Sequence, residues 1–456
     1  MASTMRSTGL SMERDPIVYP MRAEGVARGL ARLPWRNVGG FSLLQVLAAI
    51  MPVLVLPVVT RIVGPEGWVA LAIGFSMGGV VAILANFGWT LTGPGLVAGE
   101  VSAAARETYA ESVHVRVIAC TIAAVCAGFV AAELSNREYM NLAVLMTVAV
   151  GMNGLSASWY FLGRSQPGLI ALTDVGPKAL AATLSIPLIL ITHDPSVYPI
   201  LLIAASVVGL LASNLMILNR LCCPVPSWRS VRLRARLNAS TVGSGLVIAG
   251  YGAFSVSLSS FVSGAAVAVV ASFAASVRLR AMAQAVIVAV SSGLQGWAIE
   301  KNDGRHNWAR MRASLIANTL VGALTGTVFV VLAPWATFLI FGPGVNVSFA
   351  TALWTGIACF LYSVSASLTY HVLAPTGHLQ WIAASTTAAA IVGVPLLLLL
   401  TPGLGADGAS MAVMIAEAVV VAAQLPKGIF VLRSIKHAGK PNLTDIVSDQ
   451  DLRAST

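Results

Sequence analysis

The chain has 456 residues, of which 57% are hydrophobic and only 10% are charged. Soluble globular domains carry about 25% charged residues, so this composition argues against an ordinary soluble enzyme, a disordered chain and a disulfide-rich secreted domain. It predicts a polytopic membrane protein. The formal net charge of +10 would suggest a nucleic-acid partner in a soluble protein, but in a membrane protein it first has to be compared with the topology.

Twelve apolar runs follow a polar N-terminal segment. Residues 1–37 contain six arginines and no separate apolar stretch, which predicts a cytoplasmic tail and not a cleaved signal peptide. A membrane-spanning helix needs about 20 mostly apolar residues, whereas barrel strands have about 10 with alternating polarity. The runs that meet the helical requirement lie at 38–60, 66–89, 113–132, 140–162, 168–191, 197–219, 239–261, 266–293, 313–341, 347–370, 380–401 and 405–432.

We therefore predict an all-α polytopic fold with about 12 transmembrane helices in two bundles of six. The basic stretch 220–238 is the longest polar interruption between spans and is predicted to be a cytoplasmic linker. It separates an N-terminal bundle at 38–219 from a C-terminal bundle at 239–432, which is followed by a cytoplasmic tail at 433–456. Two similar bundles around an axis normal to the membrane would enclose a cavity at their interface, as in parallel-repeat transporters.

The basic residues are divided unevenly between the two sides of this topology. With the N-terminus inside, twenty-two of the 28 Lys and Arg residues fall in cytoplasmic segments, counting Lys427 near the inner end of the twelfth span, and only Arg61 and Arg137 fall in outer loops. This asymmetry follows the positive-inside rule, and it predicts a multi-pass protein of the cell inner or plasma membrane with both termini in the cytoplasm. It also explains the positive charge without nucleic acid and leaves membrane lipids as contacts of the stretch 220–238.

Charged side chains inside the spans are the candidate functional residues, because each costs about 2.5–3.5 kcal/mol on insertion scales. Asp174 and Lys178 are four residues apart in the fifth span and share a helix face. Two interpretations remain open for them. They form an internal ion pair that neutralises itself, or they face a cavity and contact substrate.

Arg278 and Arg280 lie near the middle of the eighth span. Two helical positions turn a side chain by about 200°, so both cannot face one cavity equally, and the sequence leaves open which of them does. A guanidinium stays charged and binds phosphate through paired hydrogen bonds, so these arginines and Lys178 are predicted to be cavity cations that bind an anionic substrate. Glu417, midway along the twelfth span, is predicted to be a counter-ion or a titratable coupling group.

The remaining chemistry-bearing residues favour structural roles. Arg116 lies near the inner end of the third span, where its side chain is expected to extend to the membrane interface. The five cysteines form no CxxC pair and are interpreted as reduced structural thiols. The sequence contains no GxxxxGK[ST] phosphate loop and no HExxH metal motif, and no GxSxG elbow appears in an aqueous loop. We therefore predict no catalytic residues, metal site or cofactor, and leave coupling to H⁺ or Na⁺ open.

Four segments together resemble one family of membrane proteins. They are Thr60–Trp68 (TRIVGPEGW), Asn86–Gly88 (NFG), Trp159–Gly163 (WYFLG) with Ile170, Ala171 and Lys178 downstream, and Gly405–Ser410 (GADGAS) with Ile415–Glu417 (IAE). In order and spacing they are similar to the polysaccharide (O-antigen type) flippases of the MATE/MOP exporter superfamily, over residues 37–430. In the first segment, Arg61, Gly64, Pro65 and Glu66 match that family's turn between its first two spans.

The sequence departs from that family in two places. Thr92–Gly95 (TGPG) stands where an arginine is frequent, and Gly377–Trp381 (GHLQW) stands in a loop that is usually rich in lysine. These differences do not affect the expected fold, but they leave the specific substrate open.

The resemblance implies alternating-access transport of a polyprenyl-diphosphate-linked glycan from the inner to the outer leaflet, for cell-surface polysaccharide biosynthesis. Polysaccharide polymerases or glycosyltransferases would then be partners. In this interpretation Arg278, Arg280 and Lys178 attract the diphosphate or acidic sugars, and Asp174 and Glu417 balance charge or carry protons.

Other functions remain open. A MATE-type multidrug or small-molecule exporter with cationic substrates would favour a more acidic lumen. An exporter of the peptidoglycan precursor lipid would have a different substrate, but the same physical arguments would apply to it. A membrane-embedded glycan polymerase or ligase would need catalytic residues on a long outer loop, and the predicted outer loops are short. A non-transporting scaffold is the least specific alternative.

Overall fold

The structure is a computed structural model that describes residues 35–98, 101–223, 254–262, 266–299, 301–302 and 305–438. The N-terminal half forms helices α1 (Trp35–Asn86), α2 (Trp89–Ala98), α3 (Ser102–Leu134), α4 (Met140–Gly151), α5 (Ser158–Gly163), α6 (Pro167–Ile170), α7 (Gly176–Thr192) and α8 (Val197–Leu218). A 3₁₀ turn at Met152–Leu155 lies between α4 and α5, and a π turn at Ala171–Val175 joins α6 to α7.

The described part of the C-terminal half is also mainly helical. It forms α9 (Ser255–Val262), α10 (Val267–Ile299), α11 (Trp308–Phe341), α12 (Phe349–Ser367) and α13 (Leu379–Ala438). A π turn at Leu368–Leu373 continues α12, and the two-residue strands β1 (Lys301–Asn302) and β2 (Arg305–His306) pair antiparallel between α10 and α11.

Nine helical stretches of the described chain are long and apolar enough to cross a membrane. Two helices change direction at a glycine with positive φ, Gly64 in α1 (φ 65°) and Gly405 in α13 (φ 60°), and each of them contains two of the predicted spans. The seventh predicted span, 239–261, lies outside the described residues except for its end in α9. The prediction of an all-α polytopic membrane protein with about 12 helices is confirmed.

The predicted bundle boundaries remain predictions. Most of the linker at 220–238, the N-tail up to residue 34 and the C-tail from residue 439 lie outside the described residues. Several described helices extend beyond the predicted apolar spans; for example, α3 begins eleven residues before the predicted start of the third span at 113. The extension of α3 contains Arg106, Glu107 and Glu111, so the apolar run is shorter than the helix that contains it.

The two halves meet along α1, which contacts α9, α10 and α11. Trp68 of α1 donates its indole N–H to the carbonyl of Ala271 at 3.0 Å and packs against Phe341 with ring centroids 4.5 Å apart. Thr60 Oγ1 donates to the carbonyl of Ile340 at 3.0 Å. These contacts hold the halves together at the end of the bundle that the charge pattern predicts to be external.

Candidate functional site

Pro177 explains the irregular turn that carries Asp174. Proline has no N–H, and in an α-helix its ring clashes with the carbonyl four residues earlier, which here belongs to Thr173. The helix widens into a π turn before the proline, and Gly176 donates its N–H to the carbonyl of Ala171, five residues back. Single π turns occur frequently at functional sites, and this one projects a carboxylate.

Three side chains hold the Asp174 carboxylate. Ser156 and Ser158 donate to Oδ2 at 2.8 Å and 2.9 Å, and Lys178 Nζ forms an ion pair with Oδ1. The pair is not sealed, because 22% of the Asp174 side chain and 25% of the Lys178 side chain remain accessible. The geometry therefore combines both interpretations of the sequence: the two groups are paired, and they also face open space.

That space is a cavity of about 380 Å³ bounded mainly by the N-terminal half and closed on one side by α10. Its apolar lining includes Phe75 of α1 and Met282 of α10. The polar side chains that line it are Asn153, Asp174, Lys178, Tyr198, Ser206 and Arg278. With two cations and one carboxylate, the lining carries a net positive charge.

Arg278 supplies the cation on the α10 side of the cavity. Its Cζ atom lies 4.2 Å from the centroid of the Phe75 ring, which is a cation–π contact between the two halves. Among the described residues Arg278 forms no ion pair, and its buried Nε has no hydrogen-bond partner there. A guanidinium without an acidic partner beside a cavity is suited to bind an anion.

Arg280 is not among the residues that line this cavity, so of the two arginines that the sequence offers as cavity cations Arg278 is the one beside it. Arg280 Nη2 lies 2.5 Å from Oε1 of Glu417, and both side chains are buried. Arg280 and Arg278 point in different directions, as their spacing on one helix requires. Glu417 is therefore paired with an arginine, and its role in coupling stays a prediction.

The structure contradicts the expectation that Arg116 extends to the membrane interface, because its side chain is only 1% exposed. Its Nε and Nη2 donate to the carbonyl of Gly154 at 3.0 Å and 2.5 Å, and Nη2 also donates to the carbonyl of Ser156 at 2.5 Å. Arg116 thus fixes the 3₁₀ turn from which Ser156 reaches Asp174. An arginine near the end of an apolar run is typical of an interfacial side chain. The sequence therefore does not indicate that Arg116 is buried and fixes this turn.

The family-motif turn lies where the two halves touch. Gly64 has φ 65° and ψ −169°, a conformation that is essentially restricted to glycine, and it bends α1 there. A Cβ atom on Gly344 would lie 2.5 Å from Pro65 Cγ, so the turn packs closely against the loop after α11.

The charged members of this turn bind neighbouring elements. Arg61 Nη2 donates to the carbonyl of Leu339 at 3.1 Å, and Glu66 Oε2 accepts from Asn136 Nδ2 at 2.8 Å. Neither residue is among those that line the cavity.

Other sequence candidates occupy structural positions. Trp159 of the WYFLG segment packs in a buried aromatic cluster with Trp89 and Tyr109. The five cysteines are unpaired, and burial raises the pKa of the Cys223 thiol to about 11. The described residues contain no group of three or more His, Cys, Asp and Glu side chains that could hold a metal ion.

Comparison with solved structures identifies the fold. The chain is similar to a multidrug resistance MATE family transporter of the MOP superfamily in an inward-facing conformation, with a TM-score of 0.67, 13% identity and coverage of 86% of this chain and 96% of the other. It is also similar to the lipid II flippase MurJ in an inward closed conformation, with a TM-score of 0.65, 11% identity and coverage of 87% and 89%. The eukaryotic MATE transporter AtDTX14 gives a TM-score of 0.61, 13% identity and coverage of 88% and 98%.

No family model matches the sequence, and no curated protein sequence is similar enough to count as a relative. At 11–13% identity the likeness concerns the fold. The chain is a multi-pass membrane protein with the helical fold shared by MATE/MOP transporters and the MurJ flippase.

Proposed function

We propose that this protein is a flippase that moves a lipid-linked, anionic oligosaccharide or polysaccharide precursor from the inner to the outer leaflet by alternating access. The observation that carries the proposal is the cavity cation Arg278, which has no acidic partner among the described residues and shares its cavity with Lys178. The fold supports transport, since similar structures include MATE transporters and a lipid II flippase.

Charge favours an anionic headgroup over a cationic one. Removing a charge from water costs several kcal/mol unless a partner compensates for it. A diphosphate would supply that partner for Arg278, and it would also lie near Lys178, which is already paired with Asp174. A cationic drug would meet two like charges in the same cavity.

The size of the cavity limits what it holds in this conformation. At about 380 Å³ it is at the lower end of the range for small-molecule sites. It therefore accommodates a diphosphate with an adjoining sugar, and a longer glycan requires that one end of the bundle opens. Opening at the end that is predicted to be external would break the contacts that Trp68 and Thr60 make across the two halves.

A small-molecule exporter is the second candidate. The cavity lining is mostly apolar and its volume suits a drug-sized ligand, and two of the similar structures are MATE transporters. The net positive lining then favours an anionic amphiphile as its substrate.

The test uses the full chain reconstituted in phospholipid vesicles. A polyprenyl-diphosphate-linked disaccharide with a fluorescent label is placed in the bilayer, and its appearance in the opposite leaflet is measured by chemical quenching. Charge-assisted hydrogen bonds contribute about 1.5–3 kcal/mol, so Arg278→Gln is expected to slow translocation about tenfold or more. Arg137→Gln is the matched control, because Arg137 is exposed and lies outside the cavity.

The same vesicles separate the alternatives. If the wild-type protein does not move the lipid but accumulates a labelled anionic amphiphile, the exporter replaces the flippase. If it joins glycans without moving lipid between leaflets, it is a polymerase or ligase. Imposed H⁺ and Na⁺ gradients then test whether Asp174 or Glu417 couples transport to an ion.

A further inference from the structure

A long apolar groove runs along the surface between α3 and α4. Its α3 residues recur every three or four positions from Val117 to Glu133 and therefore occupy one helix face. The groove has a volume of about 780 Å³. It follows α3 for about 24 Å at 1.5 Å per residue, which is most of the roughly 30 Å thickness of the hydrocarbon core.

The groove faces the lipid side of the bundle. Phe129 and Val125 line it and are 71% and 55% exposed, and Met140 and Val144 of α4 form the opposite wall. Its charged member, Glu133, lies at the end that the charge pattern predicts to be external. A shallow apolar trough of this length fits an extended hydrocarbon chain.

The other end of the groove leads towards the cavity. Met152 and Leu155 line the groove and also a narrow gap behind it. Asp174 and Lys178 line that gap and the cavity as well. The gap has a volume of only about 10 Å³, so it is closed in this structure.

Irregular backbone borders the gap on both sides. One wall is the 3₁₀ turn Met152–Leu155, and the other includes Asp174 in the π turn Ala171–Val175. Turns of both kinds depart from regular α-helical hydrogen bonding and often mark hinges or functional sites. Ser156 and Ser158 donate hydrogen bonds across the gap to Asp174, so widening the gap breaks these bonds but no continuous helix.

We propose that this groove holds the isoprenoid chain of the lipid-linked substrate while the diphosphate reaches Lys178 through the gap. The inference rests on the proposed flippase function and adds the site of the lipid chain. The isoprenoid chain is surrounded by hydrocarbon both in the groove and in the bilayer, so the hydrophobic effect contributes little to its binding in the groove. Its contribution is positional, because a held chain keeps the headgroup at high effective concentration beside the cavity cations.

Photocrosslinking tests the occupant directly. A photoreactive diazirine amino acid is introduced at Val125, which lines the groove, or at Ile122, which is 63% exposed on the same helix but is not among the lining residues. The full-length variants are reconstituted in phospholipid vesicles with or without a polyprenyl-diphosphate-linked disaccharide. Crosslinking to the isoprenoid lipid at position 125, several-fold above position 122, supports the proposal. Equal crosslinking at both positions, or crosslinking to phospholipid alone, overturns it.

A blocking substitution tests the consequence for transport. A Cβ atom on Gly128 would lie 3.7 Å from Val144 Cγ1, which is ordinary contact, so Gly128→Trp can fill the groove without a backbone clash. The probes carry the same diphosphate-linked disaccharide on a polyprenyl chain or on a short geranyl chain. Gly128→Trp is expected to slow the polyprenyl probe several-fold and to spare the geranyl probe, whereas Ile122→Trp spares both.

The outcomes distinguish this inference from the proposed function. Equal effects of Gly128→Trp on the two probes, or no effect beyond that of Ile122→Trp, overturn the groove assignment. If wild-type protein moves neither probe, the flippase function itself fails. If Gly128→Trp does not fold, as judged by size-exclusion chromatography, the crosslinking result decides.

Discussion

Arg280 and Glu417 form a buried ion pair between α10 and α13, with Nη2 and Oε1 2.5 Å apart. Arg278, two residues earlier on α10, instead lines the cavity over Phe75. One helix therefore carries two arginines with different surroundings. The first borders the open space of the cavity, and the second is neutralised by Glu417.

The ion pair of Arg280 and Glu417 is predicted to contribute to stability. Removing one partner of a buried ion pair leaves an uncompensated charge and typically costs about 3–5 kcal/mol, whereas replacing both with apolar residues is often nearly neutral. Glu417→Leu is therefore expected to lower the thermal unfolding temperature in detergent strongly, and the double variant Arg280→Met/Glu417→Leu is expected to recover most of the loss. If Arg280→Met lowered translocation without lowering the unfolding temperature, that result would contradict a structural role for the ion pair.

Arg116 is predicted to be a positioning residue for the Asp174 site. Its planar guanidinium reaches the carbonyls of Gly154 and Ser156 together, which a lysine cannot reproduce. Both Arg116→Lys and Arg116→Met are expected to slow translocation, because the Ser156 hydroxyl would no longer be held against the Asp174 carboxylate.

The control for Arg116 is the Ser156 hydroxyl itself. If Arg116 acts through Ser156, then Ser156→Ala slows translocation, and Arg116→Lys adds little to it in the double variant, a non-additivity that a double-mutant cycle measures. Fully additive effects would show that Arg116 acts independently of this contact.

The sequence predicts the spans and the charged residues inside them more fully than the partners of those charges. Apolar length and glycine breaks define a helix locally, and the spacing of Arg278 and Arg280 already required them to point apart. The partner of Arg280 is 137 positions away in the chain; the sequence offers Glu417 as a counter-ion, but no local pattern indicates which cation it pairs with. The partners of Arg116 are the backbone carbonyls of Gly154 and Ser156. Every residue has a backbone carbonyl, so the residue types in the sequence do not indicate these contacts.

Gly64 is predicted to be irreplaceable for conformational reasons alone. A Cβ atom there meets nothing within 4 Å, but the backbone has φ 65° and ψ −169°, which costs a non-glycine residue about 1–3 kcal/mol. Gly64→Ala is therefore expected to lower the unfolding temperature. Gly168 is the matched control, since it also has open space but lies in helix α6, and Gly168→Ala should be neutral or slightly stabilising. Equal destabilisation by both variants would contradict this account.

A reversible crosslink between the halves is predicted to stop transport. Ser76 of α1 and Ser257 of α9 have hydroxyl oxygens 2.9 Å apart, so cysteines at both positions are close enough to form a disulfide with modest adjustment. In a background without the five native cysteines, oxidised Ser76→Cys/Ser257→Cys is expected to lose most translocation, because in the proposed alternating-access cycle the two halves separate where α1 meets α9. Reduction is expected to restore it, and neither single variant should respond to oxidant. A crosslinked protein that still transports at the wild-type rate would show that α1 and α9 do not separate during the cycle.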